Sequence, residues 1–184
     1  MEIIQDIDFN ILFYIQFLHN PFLDKIMAFI TNIGNLGAIW FAIAIVLIAI
    51  KKYRKYGFLM LVAILITCVI GSCFLKPLTA RPRPFTFYPE VEILVSKPKS
   101  FSFPSGHTFI AFASAVVLTY MNYKVGIAAF VLAIAIAFSR LYFFVHFPSD
   151  VLAGALLGTI VALIVVYFYS LIQKMCKPKR RRAK

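Results

Sequence analysis

Apolar and polar positions do not alternate along this chain; they come in blocks. "GFLMLVAILITCVIGSCFL", residues 57–75, runs without a single charge, and 151–173 is a longer uncharged run. As a helix the first would span roughly 28 Å, about the thickness of a hydrocarbon core. Five such blocks can be marked, at about 36–50, 57–75, 104–122, 125–146 and 149–173. They are joined by "KKYRKY", a long polar stretch 76–103, the short "NYK", and "HFPSD". The pattern predicts an all-α, polytopic transmembrane helical bundle.

The first 35 residues follow a different pattern. "FNILFYIQFLHN" and "PFLDKIMAFITNIG" are apolar but short, and Asn20, Pro21, Asp24 and Lys25 interrupt them. They predict an interfacial or re-entrant helical hairpin, with a sixth span as the alternative, and His19 at the interface. The expected organisation is thus an N-terminal hairpin (1–35), a transmembrane domain (36–174) and a basic tail (175–184). The start, "MEIIQDIDFN", is acidic and lacks the basic region of a cleavable signal peptide. No internal repeat or soluble domain stands out.

Composition agrees with a membrane class, because 62% of residues are hydrophobic and 14% charged, where soluble domains sit nearer half apolar. A formal charge of +12 invites a nucleic-acid reading, and "KPKRRRAK" resembles a basic arm. The placement of the charge argues otherwise. Lys51, Lys52, Arg54 and Lys55 fill one connection, Lys124 lies in another, and the tail follows the last block. These are alternate connections, as the positive-inside rule requires of the cytoplasmic side. The expected setting is therefore the cell (cytoplasmic) membrane, multi-pass, with the C-terminus cytoplasmic and the tail near anionic lipid. Its partner is the bilayer and not nucleic acid. Cys68, Cys73 and Cys176 make no disulfide framework and read as small buried apolar residues.

With the tail inside, 76–103, 146–150 and the start of the 104–122 block share the outer face. Three polar patches meet there: "KPLTARPRPF" (76–85), "FPSGH" (103–107) and "SRLYFFVHFPSD" (139–150). Ionisable groups beside apolar spans are costly and usually functional. Lys76, Arg83 and Arg140 are cations, and an arginine grips an oxyanion with two parallel donors. Pro104 suits the first turn of a helix, so Ser105, Gly106 and His107 would present backbone N–H groups to an anion. Pro148 separates His146, ending one helix, from Asp150, starting the next. Asp150 can accept from one imidazole nitrogen and leave the other as a free nucleophile, with His107 as a general acid.

Taken singly, each residue has a plainer explanation. Lys76 and Arg83 serve as interfacial anchors, Ser105–Gly106 as an ordinary helix start, and either histidine as a satisfied structural group. Arg140 fits that view least, since residues 125–139 before it carry no charge. Converging on one face, the patches describe a pocket for a multiply charged anion, and the constellation reads as phosphoryl transfer through a phosphohistidine.

K-x6-R-P (Lys76 to Pro84), P-S-G-H (Pro104 to His107) and S-R-x5-H-x3-D (Ser139 to Asp150) together resemble the three-part signature of the type 2 phosphatidic acid phosphatase superfamily. Its members are membrane lipid phosphate phosphatases, distantly related to vanadium haloperoxidases and bacterial acid phosphatases. The resemblance implies phosphate binding by Lys76, Arg83, Ser105, Gly106 and Arg140, with His107 as general acid, His146 as nucleophile and Asp150 as its partner. Arg81 lies outside the signature. The implied substrate is a membrane lipid phosphate, and the positive charge of Lys76, Arg83 and Arg81 favours a diphosphate such as undecaprenyl diphosphate. A phosphatidate or phosphatidylglycerophosphate phosphatase, or a lipid phosphotransferase, would use the same site. A haloperoxidase shares the anion site, but peroxide chemistry suits a lipid-embedded pocket poorly. An anion carrier would favour broken helices in related halves. No metal or other cofactor is expected, because the outer face offers only Glu90, Glu92 and Asp150 as carboxylates.

Overall fold

A computed structural model describes residues 2–176. Residues 177–184, most of the basic tail expected at 175–184, lie outside the described residues. In chain order the helices are α1 (Glu2–Gln16), α2 (Pro21–Ile33), α3 (Ala38–Ala49), α4 (Arg54–Cys68), α5 (Lys76–Thr79), α6 (Pro84–Phe87), α7 (Gly106–Met121), α8 (Tyr123–Tyr142) and α9 (Pro148–Met175). Among the described residues, Arg54–Phe87, α8 and α9 are each long and apolar enough to cross a membrane. α2 and α3 pass that test only together, across a 44° bend, and α7 is a shorter apolar helix. The chain is an all-α transmembrane bundle.

α7 is its centre, packing on α4, α8 and α9. Its inward positions are small, with Ala111, Ala113, Ser114 and Ala115 fully buried. Opposite them α9 brings Gly154 and Gly158, where a Cβ would lie 2.8 Å from the Ser105 carbonyl and 2.4 Å from that of Phe109. This small-xxx-small stripe lets two backbones touch, the packing mode that serves where lipid competes equally for apolar surface. The bundle's outer faces carry Val131, Leu152, Leu156 and Leu163, all exposed. That pattern suits a lipid surround.

Boundaries moved where the chemistry lies. The helix expected to stop at Leu75 continues through a π-helical stretch, Val69–Leu75, into α5, and turns at Ala80 in left-handed conformation (φ 43°). Lys76 therefore rides on the last helical turn. α8 ends at Tyr142, so His146 sits in the turn before α9 and does not end α8. Pro104 precedes α7, which begins at Gly106 with Ser105 as its N-cap.

The N-terminal hairpin forms as two helices. α1 lies against the turn between α8 and α9: Leu12 is buried with Phe144 and Phe147, while Phe9 and Phe13 meet Tyr88 edge-on at 5.0 and 4.9 Å. Its other face exposes Ile3, Ile4, Ile7 and Tyr14. α2 starts at an Asn20 cap and crosses the end of α8, with His19 placed 2.8 Å from Asp24 Oδ1 and 2.9 Å from the Tyr142 carbonyl. Cysteines depart from expectation, because Cys73 and Cys176 are exposed and only Cys68 is half-buried. Among the described cations, Lys52 and Lys55 line one cavity with Asn122 and Val125, so the two basic connections meet at one end of the bundle.

Candidate active site

At the other end, the three polar patches fold together. Arg83 follows the left-handed turn at Ala80 and is 4% exposed. Its Nε donates to the Ser100 carbonyl (2.7 Å), and one terminal nitrogen donates to the Val145 carbonyl (2.7 Å). That same nitrogen lies 3.2 Å from His146 Nε2. Lys76 Nζ donates to the Phe101 carbonyl (2.7 Å), which Arg83 also reaches at 3.2 Å. The loop 100–102 thus holds Lys76 and Arg83 side by side.

His146 is 2% exposed, in a turn whose Phe144 is left-handed (φ 55°). Its tautomer follows from its neighbours. A guanidinium can only donate, so Nε2 beside Arg83 presents its lone pair and the ring proton sits on Nδ1. Nδ1 faces Asp150 Oδ2 and Ser102 Oγ, each at 3.5 Å. That exceeds a formed hydrogen bond, so Asp150 acts on the ring here through its charge and orientation. Burial pushes the His146 imidazole down to about 3, with Asp150 opposing and Arg83 adding to the shift. A neutral ring with its lone pair on Nε2 is what nucleophilic attack needs.

Asp150 is fully buried and well partnered. Its Oδ2 accepts from Ser102 Oγ and from the Phe147 N–H (2.9 Å), which caps α9. Its Oδ1 accepts from Arg81 at 2.6 Å. Arg81 also donates to Ser149 Oγ (2.7 Å) and to Asp8 Oδ2 (2.8 Å), with its guanidinium 4.0 Å above the Phe147 ring. Arg81 is therefore neutralised by two carboxylates, and the sequence-based count that included it in the anion site is corrected. Asp8, 3% exposed on α1, further accepts from the Ser149 N–H and hydroxyl.

The second patch differs from expectation in one donor. Ser105 N–H is given to the Asp150 carbonyl (3.1 Å), so it does not face an anion. Its buried hydroxyl accepts from Thr108 Oγ1 (3.0 Å) and keeps its own proton to donate. Gly106 opens on empty space, since a Cβ there would meet nothing within 4 Å. His107, on the first turn of α7, places Nε2 3.1 Å from Asn35 Oδ1. Arg140 is 4% exposed, donates to Thr31 Oγ1, and has no partner for Nε. An unsatisfied buried N–H of a cation is costly, so Arg140 is suited to a ligand that completes it. His107 and Arg140 line one cavity of about 290 Å³ with Asn32, Asn35 and Ser96. A larger apolar groove, about 610 Å³, borders Arg81 and Phe147 on the far side of Asp150.

Asp8, Ser102, Thr31 and Asn35 were not identified from sequence. Asp8 had a signal: with Glu2 and Asp6 it is one of three carboxylates on α1, and it is the one set directly between the apolar Ile7 and Phe9. The others are ordinary polar residues in segments whose neighbours only the fold decides.

Three cations without carboxylate partners among the described residues, a buried neutral histidine and a transmembrane helical frame define an enzyme that works on a phosphate at a membrane. The model of the PAP2 superfamily matches residues 52–174. The undecaprenyl-diphosphatase of Sulfolobus acidocaldarius is 32% identical over 90% of this chain and 81% of its own length. Two crystal structures share the fold. One is a transmembrane PAP2-type phosphatidylglycerolphosphate phosphatase from Bacillus subtilis (28% identity, TM-score 0.79, covering 98% of this chain and 90% of that one). The other is LpxE of Aquifex aeolicus (30%, TM-score 0.77, covering 88% and 95%). The chain belongs to the PAP2 superfamily. It is a membrane lipid phosphatase of that type, a hydrolase.

Proposed function

We propose that this protein hydrolyses a lipid diphosphate to the monophosphate, with undecaprenyl diphosphate as the leading substrate, through a phosphohistidine on His146. The observation that carries the mechanism is the His146 ring itself, with Nε2 beside Arg83 and Nδ1 toward Asp150. The Nε2 lone pair forms a bond to the terminal phosphorus while the bond to the bridging oxygen breaks, and its electron pair leaves with that oxygen. His107 gives the leaving oxygen a proton. Water then attacks the phosphohistidine, His107 takes a proton from it, the P–N bond breaks, and inorganic phosphate departs. Lys76, Arg83, Arg140 and the first-turn N–H groups of α7 hold the equatorial oxygens, where charge grows in the transition state.

The diphosphate assignment is supported by the diphosphatase relative and by Lys76, Arg83 and Arg140, none of which has a carboxylate partner among the described residues. Arg81 no longer contributes to that argument. The described basic connections lie at the opposite end of the bundle from the site, which supports a catalytic face outside the cell.

The test compares kcat/KM for farnesyl and undecaprenyl diphosphates with phosphatidate and phosphatidylglycerophosphate in one detergent. A diphosphate preference of tenfold or more, about 1.4 kcal/mol in transition-state binding, is expected. An equal preference for a glycerolipid overturns the substrate while leaving the phosphatase. In intact cells, a short-chain diphosphate that cannot cross the membrane should be hydrolysed from the medium; hydrolysis only after permeabilisation places the site inside.

A further inference from the structure

The bend between α2 and α3 has its own chemistry. Leu36 there is left-handed (φ 52°) and 90% exposed, a conformation that is strained for a residue with a Cβ. A side chain so placed has no packing to offset the strain. What the turn does achieve is the position of Asn35. Its Oδ1 meets His107 Nε2 at 3.1 Å, and its Nδ2 donates to Asn32 Oδ1 at 3.2 Å, which sets the orientation of the amide. Gly34 lets the turn close over the same imidazole, because a Cβ there would approach Ile136 to 3.0 Å and His107 Cδ2 to 3.4 Å. All three features aim one turn at one ring.

We propose that Asn35 is a positioning residue for proton donation: it accepts the Nε2–H of His107, stabilises the imidazolium, and keeps the Nδ1 proton for the leaving oxygen. This rests on the reading of His107 as general acid. The need for such help is physical. His107 stands in the first turn of α7, where the helix dipole disfavours a cation, and Arg140 lines the same cavity. No carboxylate contacts His107 among the described residues, so the amide oxygen of Asn35 is the acceptor that offsets these charges. In the step itself the P–O bond breaks, its electron pair stays on the leaving oxygen, and the His107 proton neutralises it. His107 is left as neutral imidazole with Nε2–H still on Asn35, ready to take a proton from water in the second half-reaction.

A general acid matters in proportion to how poor the leaving group is. The experiment therefore measures kcat/KM for wild type, H107Q, N35A and N35D on two substrates, a prenyl or alkyl monophosphate and 4-nitrophenyl phosphate. The alkoxide of the first needs a proton; nitrophenolate leaves without one. N35A should lose about 10- to 100-fold on the alkyl substrate, within the range general acids supply, and less than threefold on the nitrophenyl ester. N35D should keep alkyl activity and carry the basic limb of its pH profile upward, because a carboxylate holds the imidazolium proton to higher pH. Equal losses on both esters, or an N35D profile that does not move, overturn the proposal, and N35D answers the question even where N35A folds poorly. If H107Q itself loses equally on both esters, the general-acid reading of His107 fails first, and with it the premise and not the Asn35 contact.

Discussion

Arg81 and Arg83 stand two residues apart, separated by Pro82, and do opposite work. Arg81 lies between two buried carboxylates, Asp8 and Asp150, and its charge is spent inside the protein. Among the described residues Arg83 hydrogen-bonds carbonyls, a serine hydroxyl and His146 but no carboxylate, so its charge remains available to an anion. The difference follows from direction. After the left-handed turn at Ala80, Arg81 reaches Asp8 on α1 and Ser149 and Asp150 on α9, whereas Arg83 reaches the 100–102 loop and the Val145 carbonyl. His146 lies between these two environments, with its Nδ1 side held by the paired carboxylate and its Nε2 side open to the cations. An asymmetric setting of this kind points the lone pair of one nitrogen toward the cations, as the proposed nucleophile requires.

The largest effect should come from removing the ring at the centre of that comparison. His146→Ala is expected to abolish steady-state phosphate release, a loss of about 10⁴-fold or more, whereas Asp150→Asn should retain measurable turnover because Ser102 still faces Nδ1. Wild-type-like release by His146→Ala ends the phosphohistidine mechanism.

The two arginines themselves provide the next test. Arg83→Lys keeps a charge but loses the planar fork, and should cost about 10²-fold in kcat/KM with a similar weakening of vanadate, which takes the five-coordinate shape of the transferring phosphoryl group. Arg81→Lys should leave vanadate inhibition within about threefold, while lowering Tm, because one ammonium cannot bridge Asp8, Ser149 and Asp150 together. Should vanadate weaken more with Arg81→Lys than with Arg83→Lys, the division between a paired and an open arginine is wrong.

The legible part of this site was the part whose chemistry is local. Lys76, Arg83, Ser105, Gly106, His107, Arg140, His146 and Asp150 come in three short patches, and each patch shows its own turn chemistry through prolines and glycine. The apolar blocks made the bundle visible for the same reason, since a spanning helix must be long and uncharged. What stayed hidden depends on how α1 and α2 dock. Both are short and apolar on most faces, so periodicity could not say which side of α1 would carry Asp8 inward. The Gly154–Gly158 stripe was not singled out from sequence, and its close approach to α7 shows why α9 can press its first turn against Ser105. The break of α8 at Tyr142 was not readable, because "LYFFV" before His146 carries no charge, proline or glycine and the helix ends in a turn built on a left-handed Phe144.

The smallest expected effect concerns pH, and its sign follows from His146. The ring is pushed down to about 3 in the folded protein, against 6.5 when exposed. Between those values the unfolded chain binds a proton that the folded one refuses. The stability contribution is thus fully present above 6.5 and is lost as pH falls below it. At pH 5.5 the loss is about 1.4 kcal/mol, roughly 3–6 °C in Tm for a chain of this size. Wild type should lose that much more Tm than His146→Gln between pH 7.5 and 5.5 in detergent, since the variant lacks the titrating group. Over the same interval the His146 ring stays neutral, so any acid limb in kcat/KM must belong to another group or to the substrate. Parallel Tm profiles for the two proteins would mean that His146 is no more buried from protons than a surface histidine, and that the asymmetry between its two faces does not hold in solution.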